Sequence, residues 1–447
     1  MGRKMVVLVA ITVSLLVGGR GGVAVFADEP KAPPAIPEVL TLEKAVELAL
    51  SNHPSLRVAS GTQAINEALV GQAQSGFYPQ VSAQSGYSRT TANATRNFTG
   101  SPLPRSTSGD TFGFYQNNVT LNQLLYDFGT TKSQVDTARF NLQAANSDAE
   151  TTVQTVVVNV QQAYFNLQQA QRLVTVSEEA ITQFKKHLDL AKGRFKAGVA
   201  PKIDVTTAEV DLSNAQLNLI TAKNNALVAR VTLTNAMGIP TTISYRVLDP
   251  SRGEAYQVVL DEAVAKAMQL RPEMISQKAQ EQAAEAAIKA AQGNFFPTVT
   301  SSASYSYSAT DFPLVYNWNV AGTVNIPIFS GFLTKQQVAQ ARANLLKTKA
   351  TGDVLRQTIL LDVNQALLNL EAAKERLRVT AVTVEQATER LALVEGRYKA
   401  GLGNAVEVTD AEVVLVNAQV NDVVAMSSYQ AAKAQLDRAM GIITPVR

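Results

Sequence analysis

The 447-residue chain contains no cysteine. Disulfides, zinc–thiolate centres, cysteine nucleophiles and a lipid carried on an N-terminal cysteine are thereby excluded. Histidine is nearly absent. His53 and His187 are the only two and stand far apart, which leaves no basis for a His-rich metal centre or a Ser-His-Asp triad. Tryptophan occurs once, and charged residues make up 17% of the chain, few for an ordinary soluble enzyme. The abundance of Ala, Gln, Asn, Ser and Thr is equally wrong for a bundle of membrane helices. No phosphate-cradling glycine loop, no His-Glu-x-x-His pair and no nucleophile elbow occurs. The formal charge of +3 comes from Arg3, Lys4 and Arg20; without residues 1–27 the basic residues equal the 37 acids. A neutral remainder gives no reason to expect a nucleic-acid partner.

What is present begins with an export pattern. Arg3 and Lys4 precede an apolar run from Met5 to Val17, and Val25-Phe26-Ala27 supplies small residues for cleavage after Ala27. Residues 1–27 are expected to be a removed signal peptide, and the proline-rich residues 28–40 an extended N-terminal segment. No later run is long and apolar enough for a membrane helix.

The remainder is written twice. Gly193-Arg194-Phe195-Lys196-Ala197-Gly198-Val199 matches Gly396-Arg397-Tyr398-Lys399-Ala400-Gly401-Leu402, and Ala236-Met237-Gly238-Ile239 matches Ala439-Met440-Gly441-Ile442, both 203 residues apart. Pro54 matches Pro272, and Phe77-Tyr78-Pro79 matches Phe295-Phe296-Pro297, 218 apart. An insertion near residues 88–111 explains the change of spacing. One large unit duplicated, rather than a solenoid of short repeats, is the expected organisation. The first repeat covers 41–239, with a β-hairpin at 77–126, a long helix at 131–197 and a return helix at 203–237. A link at 240–259 leads to the second repeat, 260–442, with its hairpin at 295–329, long helix at 333–400 and return helix at 406–440. A short tail, 443–447, ends the chain.

The long helices follow from periodicity. Positions 135, 138, 142, 145, 149, 153, 156, 160, 163, 167, 170, 174, 177, 181, 184, 188, 191 and 195 are all apolar except Ser177, with a mean step of about 3.5 residues, the coiled-coil period. The second copy repeats the pattern from Val363 through Leu370, Leu377, Val384 and Leu391 to Tyr398. Many of these knobs are alanine, which lets helices approach closely.

The strands alternate instead. In 295–309 the odd positions include Val299, Ala303, Tyr305 and Tyr307, while the even ones are mostly Ser and Thr; in 317–328 the apolar set is Trp318, Val320, Val324 and Ile326. Segments of about 10 to 12 residues with one apolar and one small uncharged face suit tilted strands of a membrane barrel. Four strands cannot close, and an open edge in lipid leaves backbone groups unpaired. Chains are therefore expected to share a barrel. Two copies supply 8 strands and three supply 12, and a wall of coiled coil ending on a wide barrel favours three. A soluble hairpin packed on helices is the plainer reading of the strands. A structural coiled-coil spacer or adhesin of the envelope accounts for the heptads but leaves the paired strands and the duplication without a role.

With this order of elements, the chain resembles the TolC-like outer-membrane efflux proteins over about residues 41–442. The resemblance implies an α+β membrane protein: a trimeric 12-stranded β-barrel, four strands per chain, continuous with a long α-helical coiled-coil tunnel. It implies an outer-membrane channel of a tripartite efflux or type I secretion system, without cofactor or catalysis. The expected partners are two further copies in a homotrimer, a periplasmic adaptor, a proton-driven or ATP-driven inner-membrane pump, and outer-membrane lipid. By the same resemblance Gly198, Val199, Gly401 and Leu402 are positions of adaptor docking, although such glycines also simply terminate helices. Glu407 and Asp410, at i and i+3, become acidic rings of a periplasmic gate under three-fold symmetry, although acids also suit a helix start. Tyr398 matches a linking tyrosine, with Asp204 its expected acceptor. Gly403 stands where relatives carry a basic latch residue. His53 reads as a helix-end residue and His187, beside Lys185 and Lys186, as solvated.

Overall fold

The computed structural model describes residues 38–91, 111–240, 245–248 and 256–443. The expected signal peptide, most of the N-terminal segment, most of the 88–111 insertion, much of the 240–259 link and most of the C-terminal tail lie outside the described residues.

The chain opens with a two-residue strand, β1 (Val39–Leu40), and helix α1 (Leu42–Asn52). Thr41 caps α1, its Oγ1 accepting the Lys44 amide at 3.2 Å. Pro54 ends that helix and starts α2 (Pro54–Gln74), with the His53 ring accepting the Ser55 amide at 3.2 Å. A single 3-10 turn leads to β2 (Gln80–Thr91) and β3 (Thr111–Tyr126), followed by the 67-residue helix α3 (Thr130–Lys196) and the returning α4 (Lys202–Ala236). After β4 (Arg246–Val247) the order repeats as α5 (Leu260–Leu270), α6 (Pro272–Gly293), β5 (Thr298–Ala309), β6 (Val315–Asn325), the 67-residue α7 (Leu333–Lys399) and α8 (Ala405–Ala439). At 1.5 Å per residue α3 and α7 are each about 100 Å long.

Both strand-to-helix joints turn through left-handed residues, Phe128-Gly129 and Gly331-Phe332. At the first, the buried Asp127 carboxylate accepts the amides of Gly129 at 3.1 Å and Thr131 at 2.6 Å, satisfying donors that the helix start leaves free. The repeated Ala-Met-Gly-Ile also has a steric cause. Gly238 follows α4 at φ 72°, and a Cβ there meets the His53 backbone at 2.6 Å. Gly441 follows α8 in the same conformation, and its Cβ meets the Arg271 backbone at 2.8 Å. Each return helix thus ends directly against the α1–α2 or α5–α6 junction, where only glycine fits.

The four long strands form one antiparallel sheet in the order β2-β3-β5-β6. Register brings the apolar residues of all four into line. Ala83 pairs with Val119, Val119 with Tyr305 and Tyr305 with Trp318; the next row is Val81, Leu121, Ala303 and Val320. The intervening rows are polar, such as Ser82, Thr120, Ser304 and Asn319. Among the described residues nothing covers the apolar face: Trp318 is 66% exposed, and Val81, Val119, Tyr305 and Val320 are exposed as well. A soluble hairpin packed on its own helices is therefore not what the structure contains. Among the described residues the sheet is open, with β2 and β6 as unpaired edges.

Core packing is concentrated where short helices meet the long ones. Leu40, Val156, Val160, Leu167, Leu233 and Met237 form one cluster around α1, α3 and the end of α4. Ile359, Val363, Leu370, Leu436 and Met440 form its counterpart around α5, α7 and α8. A fully buried Leu such as Leu233 or Leu436 contributes about 1.5–3 kcal/mol. Of the periodic positions on α3, all but Phe195 are buried or half-buried; Phe195, in the last turn, is exposed. No helix among the described residues is long and apolar enough to cross a membrane.

Candidate functional site

The ends of α3 and α7 opposite the sheet carry most of the residues singled out by sequence. Both helices finish in the same hydrogen-bonded turn. The Val199 amide donates to the Arg194 carbonyl at 3.0 Å and Gly198 to Phe195 at 3.0 Å; Leu402 donates to Arg397 at 2.9 Å and Gly401 to Tyr398 at 3.0 Å. Gly198 and Gly401 are left-handed, at φ 75° and 77°, and a Cβ on either meets nothing within 4 Å. Val199 and Leu402 project into solvent at the two tips. The glycine turns cap the helices and leave one bare apolar side chain on each.

Asn404 caps α8, its Oδ1 accepting the Glu407 amide at 2.8 Å. Glu407 is half-buried and Asp410 exposed. The cation facing Glu407 is Arg397, with Nη1 3.6 Å from Oε2, so a basic partner reaches the first acid from the preceding helix although position 403 is glycine. Gly403 is tightly placed, with room for a Cβ only 3.3 Å from the Tyr398 amide nitrogen.

Tyr398 is 1% exposed and holds the two tips together. The Arg194 guanidinium lies over its ring, 4.5 Å from the centroid, and Arg194 Nη1 donates to the Tyr398 carbonyl. The expected hydrogen bond from Tyr398 to Asp204 is not formed in this protomer, where the Tyr398 hydroxyl has no hydrogen-bond partner among the described residues. Asp204 acts on it only through space: burial first, then the Asp204 charge, raise the Tyr398 pKa, and Arg194 partly offsets them. Within the protomer the contacts of Tyr398 with α3 are the Arg194 stacking and the main-chain bond.

His187 is a second correction. It is 4% exposed rather than solvated, its ring 5.8 Å from that of Tyr398. It belongs to the stripe Phe184, His187, Leu188, Ala191, whose i, i+3, i+4, i+7 spacing faces inward. Burial lowers its pKa, opposed by the charges of Asp211, Glu395 and Asp204. Sequence reasoning also passed over Glu412, 2% exposed on α8 and in line with Val408 and Val416. That position in an otherwise apolar row was the available signal.

No constellation for bond-making chemistry occurs among the described residues, and no group of three or more His, Asp or Glu there is arranged to hold a metal ion. The arrangement offers instead an uncovered apolar sheet, very long helices and charged groups at the far tips.

Comparison with known proteins decides what this serves. Residues 45–239 and 263–442 match the family of outer membrane efflux proteins, one match for each half of the duplication. The chain belongs to that family. Among its relatives are outer membrane efflux protein BepC of Brucella suis, 24% identical over 413 residues covering 90% of this chain and 86% of the relative. The probable efflux pump outer membrane protein TtgC of Pseudomonas putida is 23% identical over 408 residues, covering 90% and 82%. The solved CmeC outer membrane channel of Campylobacter jejuni shares the fold, with a TM-score of 0.79 at 18% identity over 90% of this chain and 85% of that one. This efflux protein is thus an outer-membrane channel protein and not an enzyme. The family places it in the outer membrane.

Proposed function

We propose that three copies of this efflux protein form one conduit, with a shared 12-stranded barrel in outer-membrane lipid and a twelve-helix tunnel below it. One observation carries the reading. The second-half helices α6 and α8 lie between α3 and α7, packing broadly on both, whereas α2 and α4 pack mainly on α3, α4 adding only a slight contact with α8. Their other side bears Val58, Ile65, Leu69, Ile203, Val210, Leu217 and Ile220, all exposed. By the equivalence of the two halves, the missing neighbour of α2 and α4 is an α7, and it comes from the next copy. α7 has Leu346, Val354, Leu361 and Leu368 exposed along its own free side. The same step pairs the free edge of β2 with β6 of the next copy and removes every open edge.

In this assembly Glu407 and Asp410 form acidic rings at the periplasmic mouth, which favour cations and focus the field. Tyr398, with Arg194 and Asp204, braces the mouth. The turns at Gly198-Val199 and Gly401-Leu402 dock a periplasmic adaptor, which joins the conduit to an inner-membrane pump in a tripartite efflux or type I secretion system. Passage is passive and the pump selects the cargo. Reconstitution into a planar bilayer tests the reading: discrete, cation-favouring conductance steps support it, and an electrically silent protein at full incorporation overturns it.

A further inference from the structure

The Glu412 side chain lies at the joint between two helical hairpins of one protomer, α3–α4 and α7–α8. One turn before it, Val408 packs with Leu391 and Tyr398 of α7. One turn after it, Val416 packs on Phe184 and Ala215 of the other hairpin. Glu412 Oε2 is buried and has no hydrogen-bond partner among the described residues. The charges that face it come from both sides of the joint. From α7 there is Glu395, held by Gln183 at 2.5 Å and Lys399 at 3.1 Å; from α4 there is Asp211, which accepts from Thr409 at 3.2 Å. His187 of α3 feels the charges of the same Asp211 and Glu395, and its ring lies 5.8 Å from that of Tyr398, over which Arg194 sits; Asp204 acts on both His187 and Tyr398. Lys399 is committed to Glu395, and no cation among the described residues is paired with Glu412.

From this geometry we propose that Glu412 is a proton-dependent clamp between the two hairpins: with a proton it lets α8 lie against α3 and α4, and without one it drives them apart. An ionised carboxylate at this position is desolvated between two others. Burial, then Glu395 and Asp211, push its pKa up to about 8 from 4.5. A raised carboxylate pKa means that the packed joint is fully supported below the ordinary glutamate value. It weakens as pH rises from there to about 8. His187 works in the other direction: buried and neutral, it opposes packing only as pH falls below its ordinary 6.5. Together they make the joint tightest in mildly acidic solution and loosest above neutrality. The clamp rests on the conduit reading for its consequence, looser tunnel mouths at higher pH, but not for its mechanism.

The absence of native cysteine makes the test direct. Nitroxides are placed at the exposed Asn214→Cys on α4 and Asn417→Cys on α8, the labelled chain is diluted into unlabelled chain in detergent, and their separation is measured by pulsed electron resonance. Between about pH 5 and about pH 9 the separation should lengthen by about 2 Å or more, or its spread widen. In Glu412→Gln, which keeps the shape without the titration, it should stay at the low-pH value throughout. Asp211→Asn should move the transition to lower pH by removing one facing charge. An invariant separation in the unmodified sequence, or a Glu412→Gln response as large as the parent's, overturns the clamp. Conductance in the same preparations separates the two readings: a conducting channel with a fixed separation rejects the clamp alone, and a silent protein with a moving one rejects the conduit alone.

Discussion

The two halves of the chain have the same order of elements and differ in company. Helix α6 buries Ser276, Gln277, Ala279, Ala283, Ala284 and Ala286, while its counterpart α2 buries nothing. Leu436 of α8 and Leu233 of α4 are both fully buried near the repeated glycine turn, yet along the middle of the return helices α4 exposes Leu217 and Ile220 where α8 half-buries Val420 and Val423. The apolar content is alike and the burial is not. A duplicated fold that satisfies one of its two equivalent interfaces internally leaves the other bare, and under the proposed conduit that unburied half is the assembly surface.

The comparison breaks most visibly at α4. Leu217→Asp places a charge at a residue that is 62% exposed in the protomer and that the proposed assembly covers. It should abolish assembly in detergent, read as loss of the oligomer by light scattering, while helix content is unchanged. The effect at the equivalent Val420→Asp should instead fall on protomer stability, because that position is half-buried within the chain.

The glycine turns sharpen the point in the opposite sense, since here the halves should behave alike. Gly238→Ala and Gly441→Ala both force a Cβ into backbone and should each cost about 2–4 kcal/mol, combining overlap with a left-handed residue. Gly198→Ala and Gly401→Ala meet open space and should cost about 1 kcal/mol. Denaturant midpoints on the four variants separate a packed closing turn from a free tip.

Trp318 gives an optical test, because it is the only tryptophan and lies on the uncovered face. Its fluorescence should be quenched by lipids brominated on their acyl chains and little affected by aqueous iodide. The smallest effect is expected at Tyr398→Phe, which removes a hydroxyl that has no hydrogen-bond partner among the described residues. Stability should change by less than about 1 kcal/mol. A larger loss, or an altered conductance, shows that an acceptor is supplied by a neighbouring copy.

Much of this fold was legible because its periods are long and clean. The 3.5-residue repeat on α3 and the two-residue repeat on β5 and β6 each persist for many residues, and the repeated glycine turns fix where helices end. The tips were less legible. Phe195 continues the heptad but lies in the last turn, beyond the neighbours that bury the rest. His187 was masked by Lys185 and Lys186, which point away while the ring turns inward. The brace between α3 and α7 runs through a main-chain carbonyl of Tyr398, which no side-chain pattern encodes. Glu412 has no meaning until α4 brings Asp211 to it across the joint.

The decisive measurement is the mass of the purified protein in detergent, by native mass spectrometry with the detergent stripped. An open sheet and a one-sided pair of helices that are completed by copies of the same chain predict a particle of three chains. A single chain, soluble without detergent, contradicts the account at its root.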